Sequence, residues 1–296
     1  MDPASLLRTP DFPSLISRRL SEVPCDFPSR MRQITAESSS PAAHHGLAGV
    51  LLPLHFCPEG EGPGLPGEFC FQLIKRSART VQAGDIGCPG GMIHPFADRF
   101  LSLLIRSGLL PAFRPDILPI AKRYDGETRK WITLFLTTAL RESWEEIGLS
   151  PWNVRCLGPL PTHSLTLFRR TIFPLVGIVP HTYTPRISCE VERLLEIPLR
   201  SFLDASRYAD LVIEIPDDIR PPDIAARREF PCFLFDGGPE EGILWGATFT
   251  LIINFFKIVL GIDLPPFSPA RQTVVRKVGV EYIKGRHWPP PGTRAP

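Results

Sequence analysis

Apolar residues recur at spacings of three and four over Ile132, Leu136, Leu140, Trp144 and Ile147. That rhythm predicts a helix with one face docked on a core. Asp125-Gly126-Glu127 turns into this helix, Gly148 is placed to take the left-handed position past its end, and Pro151 blocks any continuation. Other runs have strand character. Residues 49–56 and 68–75 are β-rich and predict an antiparallel pair joined through the turn-forming segment 58–67; 154–160 and 171–179 are further strands. Residues 229–235 and 242–245 flank Asp236-Gly237-Gly238, a hairpin signal. Residues 15–23, 97–107 and 247–260 read as helices, and 190–203 as a helix or mixed segment. No internal repeat is visible. Mixed strands with two principal helices predict an α/β sandwich.

With 296 residues and 43% hydrophobic content, the chain can bury a sizeable core as one large domain or two small ones. Residues 1–46 form a helix and a linker rich in Ser and Pro (Ser38-Ser39-Ser40-Pro41), 47–262 the main domain, and 263–296 a tail rich in Pro and Arg, expected to wrap the surface. A formal charge of +2 leaves no electrostatic footprint for nucleic acid. The most apolar stretch, 246–261, is short for a membrane span and contains Asn254 and Lys257, so a buried helix is expected and no membrane partner. Residues 1–30 mix acidic and basic side chains without a long apolar run, which argues against a secretory leader. The seven cysteines (25, 57, 70, 88, 156, 189, 232) are odd in number and form no C-x-x-C pair. They read as reduced thiols in a cytoplasmic protein, neither a disulfide framework nor a zinc site.

The chemistry centres on the long helix. Glu142, Glu145 and Glu146 occupy i, i+3 and i+4, so they share one helix face. Their mutual repulsion costs roughly a few tenths of a kcal/mol per exposed pair, and a divalent cation would turn that cost into attraction. Hard carboxylate oxygens suit magnesium or manganese. An E-x-x-E-E run alone is most often a solvated face; here Arg141 precedes it and Ile147-Gly148-Leu149 follows. Upstream, Gly84-Asp85-Ile86-Gly87-Cys88-Pro89-Gly90-Gly91 allows close backbone approach and positive φ. Arg76 and Arg79 are candidates to meet substrate phosphates or to act as strand-end charges. His94 is more often a loop histidine, His44-His45 a solvent-exposed linker pair, and Ser164, Asp204 and His181 lack a nucleophile context.

Arg141–Leu149 resembles the second half of the Nudix box, R-E-U-x-E-E-x-G-U with U a bulky apolar residue; Ser143 is its one departure. Outlying segments resemble the coenzyme A pyrophosphatase branch of that family: Leu73-Ile74-Lys75-Arg76-Ser77 with the glycine loop, Phe173-Pro174-Leu175-Val176-Gly177, Glu190-Val191 leading to Glu196-Ile197-Pro198-Leu199, and Phe230-Pro231 with Leu244-Trp245-Gly246-Ala247-Thr248. The likeness spans residues 45–260 and implies a Nudix-type α/β/α sandwich of mixed sheet. The family places a glycine some fourteen positions before the box arginine, whereas Gly91 precedes Arg141 by 50. An insertion over residues 97–130 therefore splits the motif, which loop-closure entropy tolerates. Thr133 stands where the family has a glutamate, and Asp98 near where the branch has an acidic residue. The insertion's apolar set (Phe100, Leu101, Leu104, Ile105, Leu109, Leu110, Phe113) predicts a packed helical flap beside the site or at a subunit contact, hence a homodimer as one expected state.

The resemblance implies Mg²⁺- or Mn²⁺-dependent hydrolysis of a diphosphate, coenzyme A or acyl-coenzyme A first among substrates, to 3′,5′-ADP and (acyl-)4′-phosphopantetheine. Glu142, Glu145 and Glu146 would bind metal and activate water, with Glu146 the foremost ligand and Glu142 a base or second ligand. Arg141 would orient a glutamate through a bidentate pair, and Arg76, Gly90 and Gly91 would meet the phosphates. Glu190 is a weaker candidate base. Two alternatives stand beside this: hydrolysis of NADH, ADP-ribose or another nucleoside diphosphate derivative, and a Nudix-fold scaffold without turnover. A Gly91 more than about 15 Å from the Glu146 side chain would favour the scaffold, being too far for one diphosphate and a metal coordinated at roughly 2 Å.

Overall fold

The structure, a computed structural model, describes residues 3–37, 45–58, 67–107, 123–165, 170–217, 226–235, 242–265, 271–279 and 282. After a short turn of helix α1 (Pro3–Leu6), α2 (Phe12–Glu22) and α3 (Phe27–Glu37) lead into the first sheet. The single helix expected over 15–23 is thus followed by a second. The expected antiparallel pair is present as β1 (Gly46–Cys57) and β2 (Glu68–Arg76), with Leu54 opposite Phe71. The glycine loop contributes β3 (Ile86–Gly87) and β4 (Gly90–Met92); α4 (Pro95–Arg106) and the long α5 (Gly126–Ile147) follow. Next come β5 (Arg155–Pro159), β6 (His163–Leu165), β7 (Arg170–Ile178) and β8 (Val191–Pro198).

β1 lies at the centre of the mixed sheet. It runs parallel to β7 from Gly46↔Arg170 to Leu54↔Ile178 and antiparallel to β2 and β4. A strand buried on both faces reads as an unbroken apolar run, as Val50–Leu54 does. One face receives α2 and the C-terminal helix α6 (Gly246–Leu260) through Phe12, Ile16, Leu20, Phe249, Ile252 and Phe255. The other receives α3 and α5 through Phe27, Met31, Ile132, Phe135 and Leu136. Phe135 of α5 stacks on Phe173 of β7 with centroids 3.7 Å apart, and Phe27 meets both edge-on. Such pairs add about 0.5–1.5 kcal/mol each beyond the area they bury. The arrangement is an α/β/α sandwich, as expected.

The expected helix or mixed segment over 190–203 is instead β8 followed by a 3₁₀ turn at Leu199–Leu203. Leu195 and Ile197 face one core while Leu194 packs toward the other, a period of two that places β8 antiparallel to β2. A second sheet holds β9 (Tyr208–Glu214), β10 (Arg227–Leu234), β11 (Ile243–Leu244) and β12 (Gln272–Lys277) in the order β11-β10-β9-β12. Strands β10 and β11 pair antiparallel as expected, while the 236–238 turn lies outside the described residues. The tail does more than wrap the surface: β12 pairs in parallel with β9 from Gln272↔Ala209 to Lys277↔Glu214.

Of the insertion, α4 lies against α5 and buries Ile105, but Phe96, Phe100 and Leu103 are exposed, so the described part packs through one stripe only. Leu109, Leu110 and Phe113 lie outside the described residues, as do His44 and most of the loop over 58–67. Among the described residues, no helix is long and apolar enough to cross a membrane.

Candidate active site

Helix α5 begins at Asp125, whose carboxylate accepts from the Thr128 N–H at 2.7 Å, and ends at Gly148 with φ 71°. Its 22 residues at 1.5 Å each span about 33 Å, long enough to seat Ile132, Phe135, Leu136 and Leu140 on the sheet and carry the glutamates past its edge. Ile147 is buried as expected. Trp144 is not: it is 45% exposed beneath Arg186, 5.0 Å from the ring centroid. The position turned inward there is Ser143, fully buried and donating to the Ala139 carbonyl at 2.7 Å. A small hydroxyl that satisfies itself on its own helix fits where a bulky apolar residue would crowd the sheet.

Gly90 and Gly91 meet the carboxylates directly. The Gly90 N–H donates to Glu146 Oε2 at 2.9 Å. Gly90 has φ +146°, and a Cβ there would stand 2.6 Å from the Gly49 carbonyl oxygen; a Cβ on Gly91 would stand 2.5 Å from the Glu142 carboxyl carbon. Backbone and carboxylate approach closely enough only because neither position has a side chain. The 49 intervening residues therefore leave the glycine loop and the glutamate helix in contact, far inside the 15 Å limit. Strand β4 holds the loop by pairing Gly91 with Gly49, and Cys88 N–H donates to the Thr248 hydroxyl of α6 at 3.3 Å.

The three glutamates differ in environment. Glu146 is 7% exposed, and burial pushes its carboxyl up to about 7 against the opposing Gly90 hydrogen bond, with the Glu142 charge adding to the rise. Burial also raises Glu142, opposed by Arg141. Glu145 stands at the rim with its side chain 56% exposed. Two adjoining carboxylates made costly to ionise by burial, with a third at the rim, form a hard oxygen donor set that a divalent cation fits.

Arg141 takes its bidentate pair from Asp98, not from a glutamate: Nε donates to Oδ1 at 2.7 Å and Nη2 to Oδ2 at 3.3 Å. Its Nη1 then reaches Glu142 at 2.9 Å and Glu145 at 3.1 Å. Asp98 is fully buried and also accepts from the Thr138 hydroxyl at 2.8 Å and the His94 N–H at 2.8 Å. Asp98 lies on α4, inside the insertion, so the inserted chain supplies the anchor of the box arginine. The only sequence signal for it was an acidic residue shortly after the glycine loop. Thr133, in the family's glutamate position, is buried and donates to the Arg129 carbonyl at 2.7 Å.

A cavity of about 500 Å³ opens beside Gly90 and Gly91, lined by Arg76, Arg170, Arg228, Ser164, Phe230 and Trp245 among others. Asp85 is its one acidic lining residue, already held by Arg276 and the Tyr282 hydroxyl. Burial, and then the neighbouring Arg76 charge, lower Arg170, so the wall is short of negative charge. Arg76 thus stands where expected, with Nε donating to the Val81 carbonyl at 2.9 Å. Arg170 was not named from sequence, and Trp245 only within the Leu244–Thr248 segment that resembles the branch's ending. His94 caps α4 by accepting from the Ala97 N–H at 3.2 Å. Glu190 lies near enough for its charge to raise Glu146 slightly. Arg79 is exposed, His181 exchanges backbone hydrogen bonds with the Asn153 side chain, and Asp204 caps a 3₁₀ turn through Ser206. None of these three joins the site.

No family model matches the chain. The uncharacterized Nudix hydrolase NudL of Escherichia coli O6:H1 is 28% identical to it over 191 residues, 64% of this chain and 76% of that protein. The protein of the same name from Escherichia coli K12 is 29% identical over the same length and shares. Among solved structures, a Nudix hydrolase from Alicyclobacillus acidocaldarius matches at 16% identity and TM-score 0.37, covering 55% of this chain and 82% of the other. One from Nitrosomonas europaea matches at 10% identity and TM-score 0.34, covering 80% and 81%. The weight rests on the sequence relatives: over 64% of its length this chain is similar to proteins named as Nudix hydrolases.

Proposed function

We propose that residues 47–262 form a Mg²⁺- or Mn²⁺-dependent diphosphatase that cleaves coenzyme A or acyl-coenzyme A to 3′,5′-ADP and (acyl-)4′-phosphopantetheine, in a reducing, cytoplasm-like compartment. The observation that carries it is the Gly90 N–H on Glu146, with Gly91 against Glu142. A backbone open to close approach by a phosphate and carboxylates for a cation stand in one place. Glu142, Glu145 and Glu146 would hold the metal, which when bound neutralises the diphosphate and makes water a nucleophile near neutral pH. Glu146, buried beside the Gly90 N–H, would be the foremost ligand, and Glu142 a base or second ligand. Arg141, locked by Asp98, keeps Glu142 and Glu145 aimed at the metal position. Arg76 and Arg170 line the cavity where the 3′-phosphoadenosine end would lie, and Trp245 and Phe230 offer flat apolar surface for the base.

NADH and ADP-ribose share the diphosphate but lack the 3′-phosphate that a three-arginine wall would reward. A panel of coenzyme A, acyl-coenzyme A, NADH and ADP-ribose, with Mg²⁺ or Mn²⁺ and chromatographic product analysis, tests the reading. The expected products are 3′,5′-ADP and phosphopantetheine. AMP from NADH as the dominant product would transfer the activity to another nucleoside diphosphate, and saturable binding without turnover would make the protein a scaffold.

A further inference from the structure

Four side chains far apart in sequence converge on the face of the first sheet that carries α3 and α5, at the end of β1 away from the glycine loop. His55 and Cys57 stand two apart on β1, so they share a face; Cys70 lies opposite His55 on β2, and Glu196 on β8 opposite Gln72 of β2. His55 Nε2 is 3.0 Å from Glu196 Oε1 and 3.4 Å from Cys57 Sγ, Cys57 Sγ is 3.9 Å from Glu196 Oε2, and the two Sγ atoms are 2.6 Å apart. The His55 and two cysteine donor atoms all lie within 4.8 Å of one another. We propose that His55, Cys57, Cys70 and Glu196 form a tetrahedral site for a zinc-class divalent cation, separate from the carboxylate face of α5.

The distances fit the chemistry. Zinc bound at about 2.0–2.1 Å to nitrogen, 2.3 Å to sulfur and 2.0–2.2 Å to oxygen sets tetrahedral edges of roughly 3.3–3.8 Å. The His55–Glu196 separation and those from Cys57 Sγ to His55 and to Glu196 lie close to that range. The sulfur pair has to open and the Glu196 carboxylate to close in on the other donors; Cys57 is half-buried at the end of its strand, while Cys70 is buried. The outer partners also match a metal site. Gln72 donates to Glu196 Oε1 at 3.2 Å and accepts from the Tyr183 hydroxyl at 3.4 Å, fixing the carboxylate's orientation. A structural disulfide has no use for an imidazole and a carboxylate aimed at its sulfurs.

The test is a titration of reduced, metal-stripped full-length protein with Co²⁺ alone, followed by Zn²⁺ alone. One equivalent of Co²⁺ should produce intense thiolate-to-cobalt charge-transfer absorption, bleached stoichiometrically by Zn²⁺. Cys57→Ser should abolish the band while thermal unfolding stays cooperative. Glu196→Gln, a change at a half-exposed side chain, should weaken binding by at least about 10–100-fold, the loss typical of removing even an outer partner of a metal ligand. Glu146→Gln should leave the band intact, because the α5 face offers no sulfur; this separates the proposal from the diphosphatase reading. No charge-transfer band in folded, reduced protein would overturn it, as would a band that survives Cys57→Ser. A Cys57–Cys70 disulfide in protein purified without reductant, with no metal uptake after reduction, would replace it with a thiol–disulfide pair.

Discussion

Near Val50, β1 meets Gly90, whose N–H holds Glu146 of α5; several residues further along, His55 and Cys57 face Cys70 and Glu196. The two groups are on the order of 20 Å apart along one strand, at about 3.3 Å per residue. One gathers oxygen donors from a single helical turn and is walled by arginines, as a phosphate-handling site requires. The other gathers nitrogen, sulfur and one oxygen from three strands. Hard donors beside an open, basic pocket suit an exchangeable cation that works on a substrate. Soft donors closed in by Gln72 and Tyr183 suit a resident ion. Donor type and access, more than the number of acidic residues, distinguish chemistry from structure here.

The comparison breaks most sharply at Glu146. Glu146→Gln removes the charge but keeps the shape and the Gly90 contact, so turnover should fall by about 10³-fold, the size of loss when one transition-state contact is removed, with the thermal midpoint held or raised. Rates within a few-fold of wild type would remove Glu146 from the chemistry. A smaller effect is expected at Gly91, where the added methyl of Gly91→Ala must displace the Glu142 carboxyl. A misplacement of about 1 Å costs roughly 10²-fold in rate; steady-state kinetics with folding checked by circular dichroism would measure it, and an unimpaired variant would show that the loop and Glu142 act separately.

The smallest effect is on stability, and its sign follows from burial. The Glu146 carboxyl titrates near 7 in the fold and near 4.5 unfolded. Between those values the folded state keeps a proton that the unfolded state has lost, so this group's contribution to stability falls as pH rises from 4.5 to 7. A cation at the face reverses the penalty where the carboxyl is charged. Mg²⁺ at a hundred times its dissociation constant adds about 2.7 kcal/mol, roughly 5–10 °C in a domain of this size. The gain should be larger at pH 8 than at pH 5, read by thermal scans with Mg²⁺ against EDTA. Equal gains at both pH values would place the cation elsewhere.

How much of this was legible in the sequence depended on locality. Glu142, Glu145 and Glu146 declare themselves because a helix turns a spacing of three and four into a shared face, and Asp125 and Gly148 mark its ends. Strands β1 and β2 were legible for the same reason, as apolar runs on either side of a turn. What failed depended on tertiary pairing. Trp144 fits the apolar rhythm of α5, yet the sheet edge falls short of it and Arg186 covers it instead. Residues 190–203 carry three glutamates and two arginines that blur the alternation of β8, and only pairing with β2 resolves it. Asp98 finds Arg141 across 43 positions of chain, and His55, Cys57, Cys70 and Glu196 meet only after three strands align. No spacing rule within one segment announces such contacts.

The central claim is that the glycine loop and the glutamate helix act as one site although the insertion separates them. A double-mutant cycle on coenzyme A turnover tests it most directly, using Gly91→Ala, Glu146→Gln and the pair. Groups that act as a unit are strongly non-additive, so the double variant should be scarcely slower than Glu146→Gln alone. Losses that multiply, with the double variant slower by the full product of the two single effects, would show two independent contributions and contradict the account.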